Sequence, residues 1–286
     1  MSSLKELKVR LASVKNTQKI TSAMKMVSSA KLHRTQAVIG RLLVYEDRLN
    51  AILSGTLSTE EEELSSQFAA VREVKKVAIV AFSSNTGLCG AFNANVWKAL
   101  SEQIHKYEAE GITLSFYPVG KKIADELHRE GYATNDSFVA IGDKPTYDEA
   151  VRLAEELMTL FASKKADKIE LLYHHFKSSS QQVLTQKTFL PVALPERDAE
   201  KVTANYIFEP SANKLLDLLL PKTLRLEAYA TLLDTSTSEH AARMIAMQTA
   251  NDNANDLIQE LTLQYNKTRQ QAITNELLDI MGGSCR

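Results

Sequence analysis

Residues 4–52 have the sequence LKELKVRLASVKNTQKITSAMKMVSSAKLHRTQAVIGRLLVYEDRLNAI, which contains one glycine, Gly40, and no proline. Gly40 is the only glycine before Gly55, so nothing in this stretch interrupts a helix. Apolar side chains follow one another at helical three/four spacing at Leu4, Leu7, Leu11 and Val14, and again at Val38, Leu42, Tyr45, Leu49 and Ile52. This spacing predicts one long helix with a coiled-coil seam.

The other end of the chain has the same character. Residues 222–281 contain neither glycine nor proline. Their apolar stripe has a mostly alternating four/three spacing over Ala250, Ala254, Leu257, Leu261, Tyr265, Thr268 and Ala272, and it continues to Leu277 and Ile280. We therefore predict that residues 1–57 and 208–286 form a long antiparallel α-helical coiled coil.

Between these helices the pattern changes to short strands alternating with helices. Strands are predicted at 77–82 and 112–119, helices at 93–110, 121–130 and 146–164, and a strand pair at 169–176 and 182–189. Alternation of this kind predicts a small Rossmann-like α/β domain, inserted over residues 75–195. Residues 58–66, which include four consecutive glutamates, resemble a solvated connection into this insert.

The net charge of -1 conceals a basic N-terminal segment. Residues 1–45 contain nine Lys or Arg residues against one acid, Glu6, whereas residues 222–286 contain eight acids and six Lys or Arg residues. A basic helix can bind phosphates of a nucleic acid. It can also pair with the slightly acidic C-terminal helix, and its apolar stripe favours this interpretation. Two alternatives stay open: a free-standing coiled-coil scaffold with an α/β adaptor, and a nucleic-acid-binding protein.

Few residues suggest catalysis or metal binding. The stretch SSNTGLCGAFN (83–93) lies at a strand-to-helix turn but matches neither phosphate-binding glycine pattern, so it predicts a tight turn with Gly87 and Gly90 at positive φ. On a strand, His174 and His175 point to opposite faces and cannot chelate one metal together. Cys89 is expected to be a small buried residue. We expect no cofactor, no metal, no enzymatic activity of the chain alone and no membrane-spanning segment.

Several motifs closely resemble one family. KNTQKITSAMKMVSSAKLHR (15–34) is similar to the N-terminal helix of the gamma subunit of F-type ATP synthases, and SSNTGLCGAFN resembles the first strand and turn of that family's inserted domain. NYIFEP (205–210) resembles the segment before the family's C-terminal helix. SEHAARMIAMQTANDNA (238–254) and LTLQYNKTRQQAITNELLDIMGGS (261–284) resemble its C-terminal signature. The resemblance thus covers essentially the whole chain.

The resemblance implies that the chain is the central rotor shaft of an ATP synthase. The coiled coil would turn inside a ring of alternating alpha and beta subunits, and the insert would lie at the foot, near the epsilon subunit and the membrane c-ring. Proton flow would rotate the ring and the shaft together and drive ATP synthesis in the beta subunits. With no leader recognised before Met1, the resemblance favours the cytoplasmic face of a bacterial inner membrane.

The resemblance also assigns contact residues by motif. Contacts with the alpha/beta head are expected from Met24, Arg243, Arg269, Gln270, Thr274 and Glu276. Met24 and Arg243 would face each other or the beta subunits, and Arg269 and Gln270 would donate hydrogen bonds to an acidic loop of beta. Tyr206 and Glu209 are expected to contact the epsilon subunit and the c-ring at the foot.

Overall fold

The structure is a computed structural model that describes residues 3–59, 66–143, 145–192 and 212–284. The predicted foot residues, Tyr206 and Glu209, lie outside this range, as does most of the predicted 58–66 connection. The helices are α1 (Leu4–Thr59), α2 (Phe92–Ala109), α3 (Lys121–Arg129), α4 (Tyr147–Ala162) and α5 (Ala212–Ser284). The strands are β1 (Lys76–Phe82), β2 (Thr113–Val119), β3 (Lys168–Ser178) and β4 (Gln181–Leu190).

The chain divides into two compact units. One combines Met1–Ala30 with Arg243–Arg286, its helices are parts of α1 and α5, and we call it the helical unit. The other, Lys31–Ala242, holds the sheet with α2, α3, α4 and the adjoining parts of α1 and α5, and we call it the sheet unit. The predicted fold class, a pair of long terminal helices with an α/β insert, is confirmed.

In the helical unit, the two ends of the chain pack side by side. Leu7, Thr21 and Ser28 of α1 are buried, as are Met247, Ala254 and Leu261 of α5. Gln18 Nε2 donates a hydrogen bond of 2.6 Å to Asn255 Oδ1 across the pair. These buried positions lie seven or fourteen residues apart, and half-buried residues such as Leu11 and Ile258 lie three or four residues from them, so the contact has the heptad pattern of a coiled coil.

The predicted apolar stripe is wrong at five positions, two of which are Leu277 and Ile280 near the end of α5, at 56 % and 68 % exposure. Leu257 is 44 % exposed, and its neighbour Ile258 is half-buried instead, in line with Ala254 and Leu261. A polar residue at the seam, Asn251, conceals this phase from a search for apolar residues. In α1, Tyr45 and Ile52 are also exposed.

The sheet has the strand order β2-β1-β3-β4. Strand β1 is parallel to β2 and to β3, and β3 and β4 form an antiparallel hairpin. Val77, Ile79 and Ala81 of β1 pack in one cluster with residues of α2 and α3, whereas the alternate residues pack with α4 and α5. A strand buried on both faces must be apolar at every position, and this explains the VAIVAF run.

Helix α5 begins before Pro221, which lies inside it. A proline removes one helical hydrogen bond and usually ends or bends a helix. Here the flanking residues Leu219, Leu220 and Leu224 are buried in the core of the sheet unit. Their burial holds the turn around Pro221 in the helix, because apolar side chains gain roughly 1.5–3 kcal/mol each when buried.

A 3-10 helix at Asp136–Asp143 was not predicted. It lies beside Gly120, whose N–H donates to the Val139 carbonyl. Gly120 has φ 105° and begins α3, and a Cβ at this position would collide with the carbonyl of Ser83. This close approach requires glycine.

Candidate functional site

Helix α5 is joined to the β3–β4 hairpin by a row of polar contacts. Glu227 pairs with Lys187 of β4 at 2.8 Å. One carboxylate oxygen of Asp234 accepts the Phe176 N–H at 2.7 Å, and the other lies 2.6 Å from His175 Nδ1. One turn further, the buried Ser238 hydroxyl donates to a β3 carbonyl at 3.0 Å. We call these contacts, made by Glu227, Asp234 and Ser238, the hairpin clamp.

The spacing of the hairpin clamp explains its geometry. Its α5 residues are separated by seven and then four positions, so all three lie on one face of the helix. In the sequence these three residues stand among other polar side chains, such as Thr235 and Glu239, so sequence analysis had no signal that singles them out.

A cleft of about 430 Å³ lies next to the hairpin clamp, between α1, the hairpin and α5. Its polar lining includes His175, Asp234, Lys187 and Glu227. These groups pair with one another across the cleft wall. These contacts therefore hold the hairpin against α5. This structural role accounts for the polar side chains that line the cleft, and no ligand is needed to explain them.

Residues 83–93, which we call the glycine loop, cap the N-terminus of α3 with their own polar groups. Asn85 Oδ1 accepts the Lys121 N–H at 2.7 Å, the Ser84 carbonyl accepts the Lys122 N–H at 3.1 Å, and Ser83 Oγ accepts the Ile123 N–H at 3.0 Å. The first N–H groups of a helix are the ones that would bind a phosphate. In α3 they are already bonded to the loop.

The turn within this loop differs from the prediction at one glycine. Gly90 has φ 61°, as predicted, but Gly87 does not have a positive φ, and the adjacent Leu88 does, at 64°. Leu88 is 63 % exposed, so its side chain meets no buried neighbour that would prevent this conformation. We expected Gly87 and not Leu88 to have the positive φ, because the left-handed conformation costs a leucine roughly 1–2 kcal/mol.

The two histidines and Cys89 have separate, structural surroundings. His174 is buried and stacks on Phe92 with 4.2 Å between ring centroids, whereas His175 is exposed and faces Asp234. Cys89 is 2 % exposed, and Asn93 Nδ2 lies 3.2 Å from its Sγ. Within the described ranges, His, Cys, Asp and Glu side chains form no group of three that could hold a metal.

Burial lowers the pKa of His174 to about 4. Its Nδ1 has no hydrogen-bond partner among the described residues, so nothing compensates a charge on this ring. The imidazole is therefore neutral near pH 7 and acts as a flat, largely apolar ring between β3 and α2.

A second buried group on β3 is Glu170, which is 2 % exposed. Lys168 Nζ lies 2.6 Å from one of its oxygens, and Gln186 Nε2 donates to the other at 2.8 Å. Burial first, and then the hydrogen bond with Glu170, raise the pKa of Tyr107. This carboxylate is held by partners on three sides, as a structural buried charge must be.

The predicted head-contact residues all lie in the helical unit. Arg269, Gln270, Thr274 and Glu276 are exposed on α5, and the Thr274 hydroxyl donates to the Gln270 carbonyl at 2.9 Å. Met24 is half-buried on α1. Arg243 is only 8 % exposed and interacts within this chain. The predicted role of each in binding another subunit stays a prediction.

The last turns of α5 expose apolar side chains beside these polar residues. Ile273, Leu277, Leu278, Ile280 and Met281 are between 47 % and 68 % exposed. Exposed apolar residues that follow one another in this way are typical of a surface that contacts another protein.

Comparison with known proteins gives one consistent result. A family profile described as ATP synthase matches residues 3–285. The chain is 61 % identical over 284 residues to the ATP synthase gamma chain of Parabacteroides distasonis, and 53 % identical over 288 residues to that of Phocaeicola vulgatus. Each match covers 99 % of both proteins.

Solved structures show the same fold. A chain of the Euglena gracilis mitochondrial ATP synthase, from a structure of the OSCP, F1 and c-ring, matches with a TM-score of 0.66 and 21 % identity. That match covers 99 % of this chain and 93 % of the other. A chain of the Euglena gracilis rotor matches with a TM-score of 0.63 and 20 % identity, over 94 % and 98 %. No described helix is long and apolar enough to cross a membrane.

Proposed function

We propose that this chain, which belongs to the family of ATP synthase gamma chains, is the central rotor shaft of an F-type ATP synthase. The observation that supports the proposal most strongly is the match to named gamma chains over 99 % of the sequence, at up to 61 % identity. The two paired terminal helices and the mixed sheet are the parts that such a shaft requires.

The helical unit supplies a shaft that turns inside a sleeve. Small or polar residues, including Thr21, Ser28 and Ala254, are buried between its helices, and they keep the pair slim. The exposed apolar side chains at the end of α5, including Leu277 and Ile280, would rest against the surrounding ring of alpha and beta subunits. Apolar contacts have little directional preference, so these side chains would add little resistance to rotation.

Directional contacts with the head come from polar residues nearby. Arg269 and Gln270 are exposed and offer donors to an acidic loop of beta, and Thr274 and Glu276 extend this polar surface. Charge-assisted hydrogen bonds of this kind hold one angular position and release it when the beta subunit changes shape. Met24 of α1 and Arg243 of α5 would add further contacts with the head.

The sheet unit would take the torque from the foot. Rotation of the c-ring, with the epsilon subunit attached, would act on the sheet unit, with Tyr206 and Glu209 among the contact residues. The hairpin clamp would pass this torque to α5, because it ties β3 and β4 to the helix through the Lys187–Glu227 ion pair, the contact between His175 and Asp234, and two hydrogen bonds to the β3 backbone.

The chain is a subunit of the complex and would perform no chemistry itself. ATP would be made and hydrolysed by the beta subunits, which the shaft would press into different shapes as it turns. Protons passing through the c-ring would supply the energy. We place the complex on the cytoplasmic face of a bacterial inner membrane, because the gamma chains of Parabacteroides distasonis and Phocaeicola vulgatus that this chain matches are bacterial.

Copurification tests the proposal. An affinity-tagged chain, expressed in its own organism, should bring down the alpha, beta and epsilon subunits, and the isolated chain should not hydrolyse ATP. Recovery of salt-sensitive nucleic acid without ATPase subunits would favour the nucleic-acid alternative. Recovery of the chain alone would favour a free-standing scaffold.

A further inference from the structure

The seam of the helical unit changes character along its length. Inward-facing positions of α1 follow a heptad pattern from Leu4 to Ser28, and those of α5 follow one from Met247 to Ala272. The α1 seam is apolar as far as Val14. Beyond it, the seam positions hold polar residues: Gln18, Thr21, Lys25 and Ser28.

One amide pair joins the two helices at this change. Gln18 Nε2 donates to Asn255 Oδ1 at 2.6 Å, and both residues are half-buried. The Thr21 hydroxyl, which is buried beside them, donates to the Gln18 carbonyl in its own helix at 3.0 Å. Thr21 therefore takes no part in the hydrogen bond between Gln18 and Asn255, although it lies on the same seam.

The burial of Leu11 and Val14 alone does not fix the register of the two helices. If one helix slid by a heptad, about 10 Å along its axis, Leu11 would move from the level of Leu261 to that of Thr268. Val14 would move from the level of Ile258 to that of Tyr265. Both new partners are half-buried seam residues, so Leu11 and Val14 would stay covered after the slide.

The amides distinguish these registers. In the slid arrangement Gln18 would face Leu261 and Asn255 would face Lys25, so the half-buried Gln18 amide would lose its amide partner. A polar residue at a coiled-coil core position is known to select one register at some cost in stability. We propose that the Gln18–Asn255 hydrogen bond selects the register of the two terminal helices. The proposal concerns the folded chain itself and does not depend on rotation.

Disulfide trapping in the full-length chain tests this. In a background of Cys89→Ala and Cys285→Ala, one protein carries Leu11→Cys with Leu261→Cys, which reports the observed register. A second carries Leu11→Cys with Thr268→Cys, which reports the slid register. Each is oxidised with a mild disulfide reagent, and the rate of cross-link formation is measured by peptide mass spectrometry.

With both amides present, the slid pair should cross-link at least about tenfold more slowly than the observed pair, which corresponds to about 1.4 kcal/mol. Replacing the amides by Gln18→Met with Asn255→Leu should speed the slid pair at least about tenfold. The exchange Gln18→Asn with Asn255→Gln, which can rebuild the bond, should restore the slow rate. The control Thr21→Val, which removes only the bond within α1, should change neither rate.

An unchanged slow rate for the slid pair after removal of both amides would overturn the proposal. So would the same acceleration in Thr21→Val, because any seam substitution would then suffice. If the double amide variant loses its helical circular dichroism signal, the single variant Gln18→Met decides the question by the same comparison of rates.

Discussion

Replacing His174 by phenylalanine should make the sheet unit more resistant to acid. The imidazole stacks on Phe92 and has a pKa of about 4, against an ordinary value of 6.5. The unfolded chain therefore binds a proton at this residue more readily than the folded chain does. Above about pH 6.5, His174 does not lower the free energy of unfolding of the wild-type protein. As the pH falls from about 6.5 towards about 4, protonation of the unfolded chain lowers that free energy progressively.

The size of the effect follows from the two pKa values. A difference of one pKa unit is worth about 1.4 kcal/mol, so the full effect is about 3 kcal/mol. At pH 5, proton binding by the unfolded chain lowers the free energy of unfolding of the wild-type protein by about 2 kcal/mol. Phenylalanine keeps a ring against Phe92 but binds no proton, so this part of the pH dependence should vanish in His174→Phe.

Urea unfolding between pH 7.5 and pH 5 measures the difference. The single tryptophan, Trp97, lies on α2 and packs against the same core cluster as β1, so its fluorescence reports unfolding of this region. The free energy of unfolding of wild type relative to His174→Phe should fall by about 2 kcal/mol between these pH values. The control His105→Gln, which changes a histidine with a 75 % exposed side chain on α2, should leave the wild-type pH dependence intact. A pH-independent difference between wild type and His174→Phe would refute the reasoning.

Three further predictions concern the hairpin clamp, the glycine loop and the head contacts. Asp234→Ala should lower the free energy of unfolding, measured in urea, by about 2–3 kcal/mol because the Phe176 N–H loses a charged acceptor; Asp234→Asn keeps an acceptor oxygen and should cost less, and equal losses would contradict this cause. Gly120→Ala should cost at least about 2 kcal/mol in the same assay, since its positive φ and its contact with the Ser83 carbonyl both exclude a Cβ; a loss below about 0.5 kcal/mol would show that the loop can move. Replacing both Arg269 and Gln270 by alanine should lower the coupled turnover of the assembled enzyme while circular dichroism of the chain stays unchanged, and normal turnover would remove these residues as contacts.

The architecture could be predicted from sequence because its signals are local. The absence of glycine and proline, together with three/four spacing, is sufficient to predict two long helices, and alternating short runs predict the α/β insert. The phase of the α5 seam could not be obtained in this way. Leu257 and Ile258 are adjacent and equally apolar, and only packing decides which one faces α1.

Contacts between distant parts of the chain were harder to predict. Nothing near Asp234 in the sequence indicates that it binds the Phe176 N–H, because 58 residues separate the pair. The amide pair of Gln18 and Asn255 is separated by 237 residues and was likewise missed. The exposed positions of Arg269 and Gln270 agree with a surface role, but a partner's residues are not encoded in this chain.

Single-molecule rotation tests the central claim most directly. A bead attached through Ser180→Cys, at the exposed turn between β3 and β4, would report motion of this chain in a complex whose alpha and beta subunits are fixed to glass. We expect the bead to rotate in one direction when ATP is added and to stop when ATP is withdrawn. Full ATP hydrolysis by the same complexes with a stationary, securely attached bead would contradict a rotor role for this chain.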